Sequence, residues 1–260
     1  MTERMRPVVF VEDWDRKPAG VTAGFTTRSG GYSRGPFAAA DGQGGLNLGD
    51  HVGDAAGDVE QNRLAFFQQI HSDVIFLSQV HGILVADASE LKRDTKADAV
   101  ISDQPGKVCA VLTADCLPVL FSDVAGNVVG AAHAGWRGLA GGVLEATASA
   151  MRVKGASELI AWMGPAIGPA CFEVGQDVVQ VFTESDSEAH SCFVKMQNGK
   201  EGKYLADIYA LAKRKLNACG IEQISGGGMC TVTDTQNFYS YRRDQQTGRM
   251  ASFIYRQPQS

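Results

Sequence analysis

Residues 108–139 read VCAVLTADCLPVLFSDVAGNVVGAAHAGWRGL, three apolar runs in succession with no helical spacing between them. Val108–Thr113, Val119–Ser122 and Val128–Ala132 are short, rich in Val, Leu and Ala, and bounded by Asp, Pro, Gly or Asn, the punctuation of consecutive strands. Helical periodicity begins only at Leu139 and runs to Met151. Outward from this centre, strand-like runs recur at Val8–Val11, Val21–Thr27, Val74–Gln79, Ala99–Ser102 and Leu159–Met163. Helical spacing returns at Asp58–His71 and at Leu205–Asn217. Strands that follow one another without regularly alternating helices predict an α+β fold rather than a doubly wound sheet.

The chain has 260 residues, of which 44% are hydrophobic and 20% charged, enough to bury one sizeable core. No Pro/Ser-rich linker, charge block or fixed-period repeat divides it, so residues 1–260 are expected to form a single domain. Lys plus Arg number 24 against 29 Asp plus Glu, a net charge of −5. Such a chain offers no overall positive field for a phosphate backbone or an anionic membrane, and nucleic acid is excluded as a main partner. Met1 to Arg6 leads into only a short apolar run, and no stretch is long enough to cross a bilayer, so a soluble, cytoplasmic protein is expected. Cysteines at 109, 116, 171, 192, 219 and 230 are too sparse for a disulfide scaffold and include no C-x-x-C pair. The polar stretch Thr183–Lys203 reads as a surface hairpin or excursion loop; His190 and Cys192 lie in it, and an exposed loop His190 is the simpler reading than a His190–Cys192 ligand pair.

Chemistry concentrates where apolar runs end. His81 follows one such run in Gln79-Val80-His81-Gly82, where a turn residue is the simpler reading. Asp115 and Cys116 interrupt the most hydrophobic stretch, and burying a carboxylate there is costly unless it is paired or liganded. A structural alternative makes Asp115 a turn cap before Pro118 and Cys116 a plain buried thiol. His133 lies among small residues in Gly130–Gly138, next to Trp136 and Arg137, where a helix start adds free N–H groups and the cation completes an anion seat. Glycine-bounded loops carry Arg28 and Asn47, and Arg242 sits in the aromatic run Phe238–Arg243, which could stack on a planar base or be an ordinary strand. His81, Cys116 and His133 are 35 and 17 residues apart, so only the fold can unite them. One thiolate and two imidazoles would leave a tetrahedral zinc one open position, the pattern of a catalytic site.

Taken in order, GGLNLGDHVGD, LSQVHG, ADAVISDQPG, LTADCLPVLFSD, GAAHAGWRGLAGG, MGPAIGPACFEVG and FYSYRRD resemble the laccase-domain or YfiH-type family from about Thr22 to Tyr255. Members have carried the name multicopper polyphenol oxidase and are assigned as purine nucleoside phosphorylases. The resemblance implies α/β/β/α layers with mixed β-sheets, similar to the catalytic domain of cytotoxic necrotising factors. It also implies zinc held by His81, Cys116 and His133. The implied chemistry is phosphorolysis of adenosine, inosine and methylthioadenosine to free base and ribose 1-phosphate, with deamination of adenosine.

On that reading the partners are purine nucleosides and inorganic phosphate; Asp115 would transfer protons, and Arg28, Asn47, Arg137 and Arg242 would bind phosphate or substrate. Five histidines without a His-x-His pair do not suit a multicopper oxidase, although a lone Cu2+ can occupy the same donors. Two other readings compete: a hydrolase or amidase with Cys116 as nucleophile and His133 as base, editing peptidoglycan precursors, and a non-enzymatic metal-binding protein. The oligomeric state is not legible.

Overall fold

The computed structural model describes residues 4–196 and 202–258. In chain order the elements are β1 (Val8–Phe10), β2 (Val21–Thr26), β3 (Ser29–Ser33), α1 (Ala56–Ile70), β4 (Val85–Asp87), β5 (Ala99–Ser102), β6 (Cys109–Thr113), β7 (Leu117–Asp123), β8 (Val129–Ala134), α2 (Trp136–Gly141), α3 (Val143–Val153), β9 (Leu159–Met163), β10 (Glu173–Gly175), α4 (Gln176–Ser185), β11 (Phe193–Lys195), β12 (Lys203–Ala206), α5 (Ile208–Ala218), β13 (Ile224–Gly226), α6 (Tyr241–Asp244) and β14 (Met250–Arg256). One antiparallel sheet has the order β1-β2-β14-β6, a mixed sheet the order β13-β9-β7-β8-β5-β4, and a small sheet the order β10-β12-β11.

Alternation along the strands explains why these sheets stack. On β6, Cys109 and Val111 face the mixed sheet, where they join Leu120, Val129, Ile160 and Trp162. Ala110 and Leu112, the intervening residues, face the other way and pack with Phe253 against Phe66 and Ile70 of α1. The mixed sheet is apolar on both faces: Leu120 of β7 points to the first sheet, whereas Leu117, Val119 and Phe121 point to a third core built with Leu144 and Met151 of α3 and Leu211 of α5. All seven residues of β7 are buried, which a strand achieves only when covered on both sides. The result is the α/β/β/α layering that the resemblance implied, with one antiparallel and one mixed sheet at its centre. None of the helices among the described residues is long and apolar enough to cross a membrane.

Two local expectations need correction, and a third is met in part. Val74–Gln79 is not a strand; only Ser78 bridges to Lys96, while the Gln79 side chain takes a strand partner's place beside β6, donating to Leu112 O at 2.8 Å and accepting from Leu112 N at 2.7 Å. The helix expected from Leu139 to Met151 begins earlier and is split at Gly142, whose φ of +101° breaks the spiral between α2 and α3. Within Thr183–Lys203, the end of α4 and a 3-10 turn at Ser187–Cys192 precede β11, which pairs with β12 as the second half of a hairpin. Residues 197–201 lie outside the described residues. His190 is exposed and Cys192 buried, so the two do not form a ligand pair.

Candidate functional site

Sheet register brings the site together. β7 pairs antiparallel with β8, setting Leu117 opposite Ala134 and Pro118 opposite His133, so Cys116 at the head of β7 meets the end of β8. β5 pairs with the other edge of β8, and Asp98, the residue before β5, lies beside His133, whose amide donates to Asp98 O at 2.7 Å. The third arm is the His81 loop. His81 adopts a left-handed φ of +59°, and this curl turns the amides of Val80, His81 and Gly82 toward the Asp98 carboxylate at 3.2, 2.9 and 2.7 Å. Asp98 also accepts from His133 Nδ1 at 2.9 Å, and its side chain is fully buried. Four donors on one carboxylate tie the His81 loop to the His133 strand.

His81, Cys116 and His133 consequently converge, with one donor atom from each lying within 4.8 Å of the other two. Cys116 Sγ is 3.8 Å from His81 Nε2, and the two imidazole rings meet edge to face with centroids 4.8 Å apart. A tetrahedral zinc with ordinary bond lengths separates sulfur from nitrogen by about 3.5 Å, so these donors fit such an ion with little movement. Because His133 gives its Nδ1–H to Asp98, its Nε2 lone pair is left for a metal, the usual carboxylate-to-histidine support of a ligand. Gly135 leaves the space: a Cβ there would stand 2.9 Å from His81 Cδ2 and 3.1 Å from Cys116 Sγ.

The electrostatics of the cluster are those of a preformed thiolate. Burial pushes the Cys116 thiol up, but His133 and His81 outweigh it and bring it down to about 6. Burial pushes His133 down, but the Cys116 thiolate and Asp98 outweigh it and raise it to about 9. Burial likewise opposes ionisation of Asp98, and its bonds to His133 and to the loop amides hold it below the usual carboxylate range. The signs define a window. Cys116, lowered from 9.0, adds stability that is complete above that pH and is lost as pH falls through about 6; His133, raised from 6.5, adds stability that is complete below that pH and is lost as pH rises through about 9. In metal-free protein, iodoacetamide alkylation of Cys116 is therefore expected to titrate with a midpoint near 6. A midpoint near that of an ordinary thiol would contradict the pairing.

The cluster opens on a cavity of about 920 Å³ lined also by His51, Phe76, Tyr241 and Arg249. Arg249 is half-buried; burial lowers its pKa while the Cys116 charge raises it, which places a cation in the field of the thiolate. Two of its hydrogen bonds go to Thr247 O and Gly248 O. His51 is held below its ordinary value by partial burial and by Arg249.

Other expected site residues lie elsewhere. Arg28 donates to Thr235 O and Ala38 O and stacks over Tyr239. Arg137 is exposed and stacks on Trp136. Arg242 directs its guanidinium to Cys171 O and Glu173 O. Asn47 is fully buried and positions the chain around the cavity, accepting from Gly49 N and Arg249 N. None of these four side chains lines the cavity. Asp115, at a strained φ of +92°, has both oxygens engaged, by Thr231 Oγ1 and Arg242 N at 2.6 Å each, and so clamps the corner before Cys116 instead of facing the cavity. Sequence reasoning missed Asp98, His51 and Arg249; the lone acid in the apolar run ADAVIS was the one available signal, for Asp98.

A layered α/β protein with a cavity-facing His–Cys–His donor set is the class that fold and site define. Residues 22–257 match the family model described as multi-copper polyphenol oxidoreductase laccase, and the chain belongs to this laccase-domain, YfiH-type family. It is 49% identical over 245 residues to a purine nucleoside phosphorylase of Pseudomonas aeruginosa, covering 94% of this chain and 97% of the relative. To purine nucleoside phosphorylase YfiH of Escherichia coli it is 48% identical, covering 95% and 98%. Among solved structures, a Neisseria meningitidis protein of the DUF152 family superposes with a TM-score of 0.90 at 46% identity, covering 97% of this chain and all of that one. Bacillus licheniformis YfiH gives 0.85 at 32% identity, covering 96% and 97%.

Proposed function

We propose that this protein is a zinc-dependent purine nucleoside phosphorylase that cleaves adenosine, inosine and methylthioadenosine to free base and ribose 1-phosphate, and deaminates adenosine in the same cavity. Relatives named for that activity support the reaction class. The observation that carries the reading is a three-donor cluster on a cavity whose wall also bears Arg249. About 920 Å³ suits a nucleoside together with phosphate, since small-molecule sites span roughly 300–1,000 Å³.

His81, Cys116 and His133 would hold the zinc, and bound there it would supply Lewis acidity toward water or a polarised oxygen. Asp98 keeps His133 and the His81 loop in place. Arg249 seats phosphate as a charge-assisted donor, and a phosphate oxygen forms its bond to C1′ as the C1′–N9 bond breaks, the electron pair leaving with the purine. This role replaces the one expected of Arg28, Asn47, Arg137 and Arg242. Phe76 and Tyr241 supply apolar faces for the base. Arg249→Met is expected to raise the KM for phosphate about 10-fold or more with zinc content unchanged, as the loss of a charged hydrogen-bond donor dictates. Steady-state kinetics on inosine at varied phosphate check this; an unchanged phosphate KM removes Arg249 from the seat.

A second reading rests on a different observation, the Cys116 thiolate beside a His133 that Asp98 orients. That order of groups suits a cysteine hydrolase or amidase acting on peptidoglycan precursors. Chelation discriminates: a hydrolase gains activity on losing metal, and iodoacetamide then abolishes it.

A further inference from the structure

Outside the donor cluster two more thiols, Cys171 and Cys230, interact through their side chains, and neither lines the cavity. Gly168 is gripped by both residues. Its carbonyl accepts the Cys171 amide at 3.0 Å, closing a turn, and its own amide donates to Cys230 Sγ at 3.3 Å. A Cβ at Gly168 would stand 2.9 Å from Cys230 Cβ and 3.0 Å from its Sγ, so only glycine lets this turn settle onto the sulfur. A parallel bridge between Ala166 and Cys230, with Thr231 N donating to Ala166 O at 3.0 Å, fixes the two segments side by side. Both cysteines are half-buried, accessible to a small neutral oxidant.

The two sulfurs are unequal. Burial raises Cys230, but the Thr233 hydroxyl and the amides of Thr233, Gly168 and Val232 outweigh it and hold its thiol below the ordinary value. Cys171 is pushed above that value by burial and by the neighbouring Cys230 sulfur. Such a pair combines a thiolate that attacks with a protonated thiol that resolves.

We propose that Cys171 and Cys230 form a peroxide-sensitive pair that closes to an intramolecular disulfide. The Cys230 thiolate attacks a hydroperoxide oxygen, the O–O bond breaks, and sulfur loses two electrons to become a sulfenic acid while hydroxide leaves, or alkoxide if the peroxide is organic. Cys171 then attacks that sulfur, forming the S–S bond, and its proton leaves with the displaced oxygen as water. Overall, two thiols and one hydrogen peroxide give a disulfide and two waters. The new bond lies behind the Cys116 corner: Thr231, next to Cys230, and Arg242, which donates to Cys171 O, are the residues that clamp Asp115.

The test treats reduced, zinc-replete wild type with hydrogen peroxide, blocks remaining thiols with N-ethylmaleimide and maps peptides without reduction. A Cys171–Cys230 linked peptide and a Tm higher by roughly 5–15 °C, reversed by dithiothreitol, are expected from closing so long a loop. Cys171→Ser, with Cys171→Ala as a second version, should match wild type in reduced activity, trap dimedone on Cys230 and show no rise in Tm. Oxidation confined to Cys116, linkage through other cysteines, or an equal Tm rise in the Cys171 variants overturns the proposal.

Discussion

Cys116→Ala is expected to leave the fold intact, abolish stoichiometric zinc binding and lower phosphate-dependent cleavage of inosine at least about 10³-fold. The magnitude follows from losing a contribution of several kcal/mol to the transition state, each 1.4 kcal/mol being a factor of ten. Removing the sulfur leaves two imidazoles as donors and also removes the negative charge that raises His133. Circular dichroism verifies the fold, elemental analysis the metal, and product chromatography the turnover. A zinc-free Cys116→Ala protein with wild-type turnover would contradict the zinc mechanism.

Asp98→Asn should damage both stability and metal binding. The carboxylate is fully buried and accepts from Val80, His81 and Gly82 amides and from His133 Nδ1. An asparagine offers one carbonyl oxygen, and its NH2 group faces donors that then lack partners. Breaking a buried charged network of this kind costs about 3–5 kcal/mol, or a fall in Tm of roughly 6–15 °C in a chain of this size. Zinc affinity should drop about 10- to 100-fold, the usual loss when a group supporting a metal-bound histidine is removed. Calorimetry and zinc titration read the two effects separately. Loss of stability with unchanged affinity would make Asp98 a purely structural residue.

The strands that build the site were legible because each is a short apolar run closed by turn residues, and Ala99–Ser102 and Leu159–Met163 match the strands observed residue for residue. The three donors were legible as well, since His81, Cys116 and His133 each end or interrupt such a run. Asp98 was not, because its role arises from amides that a left-handed residue turns toward it and from the pairing of β5 with β8. The placement of the arginines was not legible for a related reason. A glycine-rich or aromatic context shows that a guanidinium is available but not which carbonyls consume it, and Arg28 and Arg242 are bound to backbone carbonyls. Arg249 precedes β14 with no marking context, and only the antiparallel closure of β14 onto β6 carries it to the cavity beside Cys116.

The proposed function turns on whether those three side chains hold the metal on which nucleoside cleavage depends. Protein stripped by a chelator and titrated with zinc, while hypoxanthine and ribose 1-phosphate from inosine are followed with and without phosphate, measures this directly. Turnover should rise linearly to one zinc per chain, level off there and require phosphate throughout. Full turnover in the stripped protein, or hypoxanthine release at the same rate without phosphate, would contradict it.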